Sequence, residues 1–140
     1  MKKLLSKYAL LFYLGGSIYY FLEVVWRGGY SYLASFLMGG TVFVFLGLLN
    51  ETFKWETPLV VQMLIGTVGI TLIEFITGVA VNIWLGLNQW DYSNYPLNIL
   101  GQICVPYMGL WFLLSLVGIV LDDYLRYWFF NEEKPRYKLF

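Results

Sequence analysis

Four long apolar runs, separated by short polar segments, dominate the pattern along the chain, and they cover about residues 8–26, 32–49, 58–87 and 98–121. Each run is long enough to cross a hydrocarbon layer of ~30 Å as a helix, which takes about 20 residues. Open strands cannot span a bilayer, because their unpaired backbone groups would face lipid. The pattern therefore predicts an all-α polytopic membrane protein: a single domain of 140 residues that forms a bundle of four transmembrane helices, with residues 122–140 as a tail.

The composition agrees with a membrane location. The chain is 59% hydrophobic and only 13% charged, whereas soluble domains carry about 25% charged residues. Its net charge is zero, so charge gives no sign of a nucleic-acid partner. Cys104 is the only cysteine and histidine is absent, which removes an internal disulfide and the commonest metal ligand and general base. We therefore predict neither a metal site nor a cofactor.

The positive charges are unevenly distributed between the polar segments. Of the nine lysines and arginines, eight lie in the N-terminal tail, the second loop and the C-terminal tail. These segments share one side in a four-span topology, and the other side has only Arg27. Because basic loops stay in the cytoplasm, both termini are predicted to be cytoplasmic. The outer loops are then residues 27–31 and about 88–97.

Two acidic residues, Glu23 and Glu74, interrupt the apolar runs. With a rise of ~1.5 Å per residue, both reach a similar depth toward the outer side. A charge at a helix centre costs roughly 2.5–3.5 kcal/mol, so such groups face the bundle interior and need partners. Arg27 follows Glu23 by four residues, a spacing that allows an ion pair on one helix face.

Further polar side chains are predicted to meet these acids. Thr77 and Asn82 follow Glu74 on one helical face, and Gln102 lies near the outer end of the fourth span, where Pro106 is expected to kink the helix. The third loop, NQWDYSNYPLN, is either an aromatic interfacial anchor or a lid that offers Asp91 to Arg27. The candidate ion- or solute-binding residues are Glu23, Arg27, Glu74, Thr77, Asn82, Asp91, Tyr92 and Gln102.

Two interpretations of this set remain open. The residues form a site for a proton, a cation or a small polar solute, as intramembrane ionisable groups usually do. Alternatively Glu23 and Arg27 form a closed pair, and Glu74 bonds to Gln102 or Tyr92 merely to hold helices together. Enzyme chemistry is left open because carboxylates can act as acid and base, but no nucleophile constellation stands out.

Residues 74–111 resemble a known family. The segments EFITG, LGLNQWDYSNYPLN and GQICVPYMGLW are similar to the pattern of small bacterial membrane proteins described as putative ABC-transporter type IV, or CmpB-like. The segment SYLASFLMGG lacks a proline and a cysteine that the family often carries near the start of helix 2. The matching positions are Glu74, Thr77, Gly78, Trp90, Asp91, Tyr92, Ser93, Pro96, Asn98, Gly101, Ile103, Cys104, Pro106 and Trp111.

The resemblance implies a permease-like component in the plasma (inner) membrane of a bacterium. The chain has no P-loop, so any ATP hydrolysis would belong to a separate ATPase subunit. Because four helices rarely enclose a path, we expect a homo-oligomer or a membrane partner in addition to the lipid bilayer. The alternatives are a non-transporting scaffold or regulator that binds a lipid or a partner helix, and a lipid-active membrane enzyme.

Overall fold

Four helices cross the length of the molecule, and the computed structural model describes all residues from 1 to 140. All four are long and apolar enough to span a membrane, which confirms the predicted all-α bundle and implies contact with lipid. The elements are α1 (Lys2–Arg27), α2 (Leu33–Thr52), α3 (Leu59–Gly78) continued by a π-helix (Val79–Trp84), an antiparallel hairpin of β1 (Asn98–Ile99) and β2 (Ile103–Cys104), and α4 (Val105–Phe130).

The fourth helix differs from its predicted span at both ends. It begins at Val105 because residues 98–104 form the small hairpin. Pro106 therefore lies in the first helical turn, where a missing N–H removes no helical hydrogen bond, and the predicted kink there is wrong. The helix also continues to Phe130, so the first nine residues of the predicted tail, 122–130, belong to the bundle.

Paired glycines bring α1 and α2 into close contact. Gly15 of α1 lies against the Phe43 side chain, and Gly39 of α2 lies against Tyr19. Without side chains at these positions the two backbones approach closely, which favours helix association within lipid. As a result α1 packs mainly on α2 and makes few contacts with α3 and α4.

Substitution of Gly40 by alanine should separate this helix pair. The new Cβ would lie 2.7 Å from the backbone oxygen of Phe12, an atom that moves only with its whole helix. Overpacking of this kind costs typically 1–3 kcal/mol, so we expect a loss of about 2 kcal/mol in the free energy of unfolding in detergent. Gly109→Ala is the control because its Cβ would meet nothing within 4 Å; equal losses in both variants would contradict the packing argument.

The centre of the bundle lies between α2, α3 and α4. Its buried apolar side chains come from all three helices, and none comes from α1. These residues are Leu46 and Leu49 of α2, Leu59, Met63 and Ile70 of α3, and Trp111 and Ile119 of α4.

The two ends of the bundle carry different segments of the chain. One end, called the hairpin end, carries residues 28–32 and 85–104. The opposite end, called the termini end, carries residues 53–58 and both chain termini.

Candidate functional site

The Glu23 carboxylate is surrounded by hydrogen-bond donors at the hairpin end. Ser35 Oγ and Ser31 Oγ donate to it over 2.6 and 2.8 Å, and Tyr19 Oη donates over 3.2 Å. Arg27 Nε lies 3.3 Å away and forms the ion pair expected from the four-residue spacing. The serines were missed from sequence because their contact depends on how closely the start of α2 approaches α1.

Glu74 connects three parts of the molecule. Its side chain is buried, with the residue 2% exposed, and its two oxygens accept hydrogen bonds from Tyr92 Oη and Trp111 Nε1, each over 2.8 Å. These bonds link α3 to the loop of residues 85–104 and to α4. Tyr92 is one of the two partners considered from the sequence; Gln102, the other, bonds elsewhere.

Gln102 belongs to a second network, which fixes the loop to the end of α3. Asn82 Nδ2 donates to Gln102 Oε1 over 2.8 Å, and Asn82 Oδ1 accepts from the Gln89 backbone N–H over 2.7 Å. Trp90 Nε1 donates to the Gln102 backbone oxygen over 3.1 Å. The π-helix carries Asn82 into this position.

Asp91 and Arg27 line the same cavity but form no ion pair or hydrogen bond with each other, so the ion pair considered from the sequence is wrong. The Ser93 hydroxyl and backbone N–H both donate to the Asp91 carboxylate, and these bonds hold the pKa of Asp91 below its usual range. Arg27 Nη1 instead donates to the Gln89 backbone oxygen over 3.0 Å. Arg27 thereby ties α1 to the loop through the main chain.

A cavity of about 750 Å³ lies between α1, α4 and the loop at the hairpin end. Of its 16 lining residues, 12 are hydrophobic, so its few polar groups determine what it can orient. Of the eight candidate residues, the cavity brings together four, namely Glu23, Arg27, Asp91 and Tyr92.

The other four candidate residues lie elsewhere. Glu74 lines an adjoining apolar pocket of about 100 Å³. Thr77 donates to the Ile73 backbone oxygen within α3, and Asn82 and Gln102 form the loop network. The rings of Tyr19 and Trp111, 6.5 Å apart, stand between the two carboxylates, because one ring bonds to Glu23 and the other to Glu74.

Three tyrosines form one wall of the cavity. Tyr92 and Tyr107 stack with ring centroids 4.5 Å apart, and Tyr95 packs edge-on against both. Burial and the neighbouring Glu74 carboxylate raise the pKa of Tyr92 above its ordinary value. Tyr92 therefore remains a neutral donor to Glu74, and the tyrosine cluster offers aromatic faces and edges to the cavity.

One protein family matches most of the chain. The family described as putative ABC-transporter type IV matches residues 10–135. The chain belongs to this family. The match confirms the resemblance seen in residues 74–111 and identifies an ABC-transporter-related membrane protein by family name. No curated protein and no solved structure matches the chain.

This member of the ABC-transporter type IV family also holds a charged network at the termini end. Arg126, 1% exposed, bonds to the fully buried Asp122 and, over 2.9 Å, to Glu51. Lys7 bonds to Glu132, and Asp123 accepts from Asn50 and Tyr137. This network was missed from sequence because the fourth apolar run ends at residue 121, which left residues 122–140 as a predicted tail. The four-residue spacing of Asp122 and Arg126 was the available signal.

Proposed function

We propose that the chain is a permease-like, solute-binding subunit of an ABC-transporter-related assembly in the bacterial inner membrane. The cavity of about 750 Å³ at the hairpin end carries this proposal. It combines apolar and aromatic walls with one guanidinium and two carboxylates, as expected of a site that orients a partly apolar solute through a few polar contacts. Membership of the family supports a transporter setting.

A single copy is proposed to be one part of the transport path. The cavity lies between α1 and α4 at the hairpin end, whereas the polar cavity of about 240 Å³ at the termini end is lined by different residues. A second copy or another membrane subunit would complete the path. Because the chain has no P-loop, a separate ATPase subunit would supply ATP hydrolysis.

The distribution of lysine and arginine supports the proposed orientation. Arg27 is the only basic residue of the hairpin end, so this end faces outward and both termini lie in the cytoplasm. The cavity then receives solute from the outer side of the membrane.

Within this proposal the acids have different roles. Arg27, Asp91 and Tyr92 line the cavity and bind the solute. Glu23 also lines the cavity, but both of its oxygens already accept hydrogen bonds, so its role is to hold Arg27 in place. Glu74 is a positioning residue, because both of its oxygens already accept hydrogen bonds from Tyr92 and Trp111.

The same hydrogen bonds favour a second candidate function, a non-transporting scaffold or regulator. A carboxylate whose oxygens are both occupied can serve simply to join α3, α4 and the loop. Such a protein needs no water-filled cavity, and this difference separates the two functions.

Thiol labelling tests the proposal. In a Cys104→Ala background, we expect Leu110→Cys, which replaces a cavity-lining residue, to react with a charged, membrane-impermeant thiol reagent. Leu113→Cys is the matched control on the same helix. Leu113 is 61% exposed on the surface of α4 and lines neither the cavity nor the adjoining pocket, so its cysteine should stay unlabelled in lipid.

The side of the membrane from which Leu110→Cys is labelled reports the orientation of the protein. Labelling in right-side-out vesicles, and not in inside-out ones, is expected for an outward cavity. If Leu110→Cys is as unreactive as Leu113→Cys, the cavity is not hydrated and the scaffold function is favoured.

A further inference from the structure

The cavity at the hairpin end continues along the bundle as an apolar seam between α1 and α4. The cavity and the adjoining pocket share the walls Tyr19, Leu22, Trp111 and Leu114. On α4 their lining extends from Tyr107 to Leu121, a rise of ~21 Å along the helix. One leaflet is about half of a ~30 Å hydrocarbon layer, so the seam is long enough for a lipid chain that spans one leaflet.

The seam is open toward the surrounding lipid. Leu22 and Val25 on α1 and Val117 on α4 are all exposed at its edges, because α1 packs on α2 and leaves the side toward α4 uncovered. A chain can therefore enter sideways from the bilayer. The bilayer interior is itself apolar, so the seam alone gives little preference for any lipid, and selectivity has to come from the polar end of the cavity.

The polar end offers two kinds of contact. Arg27 supplies a guanidinium, a geometry suited to phosphate oxygens. Asp91 and the tyrosine cluster supply a carboxylate and aromatic ring faces, which together attract an ammonium group. The charged residues lining the cavity are Glu23, Arg27 and Asp91, with one positive and two negative charges. This net negative charge disfavours a purely anionic headgroup.

We propose that this site takes a zwitterionic phospholipid. Its phosphate lies at Arg27, its ammonium group lies at Asp91 and the tyrosine cluster, and one acyl chain occupies the seam between α1 and α4. The assignment rests on the proposed function, since it names the class of solute that the cavity binds.

Quenching of tryptophan fluorescence tests the headgroup. The protein is placed in nanodiscs of phosphatidylglycerol and titrated with lysophosphatidylcholine whose acyl chain is dibrominated, since Trp90 and Trp111 line the cavity. The comparison probe is lysophosphatidylglycerol with the same brominated chain. We expect the choline probe to half-quench at a mole fraction about tenfold lower, the effect of one charge-assisted contact. Equal quenching by the two probes would overturn the headgroup assignment.

Variants test the two ends of the site separately. Asp91→Asn should remove the difference between the probes, because only the choline probe has the ammonium group that Asp91 is proposed to bind. Arg27→Gln should weaken both probes, since both carry the phosphate, and Arg27→Lys should retain part of that binding. Val117→Phe, which fills the seam, should weaken the choline probe, whereas Leu113→Phe on the lipid-facing side of α4 should not. An unchanged titration in Val117→Phe would overturn the placement of the chain.

The outcome can be separated from that of the proposed function. If Leu110→Cys is labelled but both probes quench alike, a hydrated solute cavity stands and the lipid assignment fails. If the choline probe is preferred while Leu110→Cys stays unlabelled, lipid binding stands and the permease function fails.

Discussion

Replacement of Arg126 by methionine should lower the free energy of unfolding in detergent by about 4 kcal/mol, the cost of breaking a buried ion pair from one side. Arg126 bonds to Asp122, which is fully buried, and to Glu51. Without the guanidinium, the Asp122 carboxylate stays in the interior with no opposite charge. Chemical denaturation followed by circular dichroism measures the loss.

Arg136→Met is the matched control for that measurement. Arg136 pairs with Glu133, but the two side chains are 68% and 60% exposed, and exposed pairs contribute about 0–1 kcal/mol. The double variant Asp122→Asn, Arg126→Met should recover part of the lost stability, since it removes the unpaired charge of the Asp122 carboxylate. If Arg126→Met and Arg136→Met have equal effects, the network does not stabilise the bundle.

Glu74→Leu should cost about 3 kcal/mol, because it leaves two buried donors, Tyr92 Oη and Trp111 Nε1, without an acceptor. It should also speed amide hydrogen exchange in residues 89–95, since the loop loses its bond to α3.

Glu74→Gln is the control for shape and for hydrogen bonding. Its amide oxygen can accept from Trp111, while its NH₂ group donates to the Tyr92 hydroxyl, which can also accept. We expect most of the stability to be retained. A loss as large as that of Glu74→Leu would show that the negative charge, rather than hydrogen bonding, is what Glu74 contributes.

The four spans and the Glu23–Arg27 pair could be predicted because both depend on local spacing. The remaining contacts of the site could not, since they depend on how segments distant in sequence come together. Ser35 reaches Glu23 only through the close packing of α1 on α2. The π-helix is a further example: α-helical spacing places Asn82 on the face of Glu74, but the helix widens after Gly78 and Asn82 bonds to Gln102.

The charged network at the termini end was missed for a different reason. A membrane span is predicted from a run of apolar residues, and Asp122 and Asp123 end the fourth run. The helix nevertheless continues, because Arg126, Asn50 and Tyr137 provide partners for these acids. A span boundary drawn from hydropathy alone excludes acids whose partners lie on other helices.

The glycine-packed pair of α1 and α2, joined by only a few residues, can associate in the bilayer before α3 and α4 are synthesised. Lys7 and Glu51 lie 3.6 Å apart within that pair, so α1 and α2 together already neutralise the charge of the largely buried Lys7. Arg126 and Glu132, which complete the network, are synthesised only after α1 and α2. The network at the termini end is therefore expected to form only after α4 has been inserted, when Arg126 can reach Glu51 on α2.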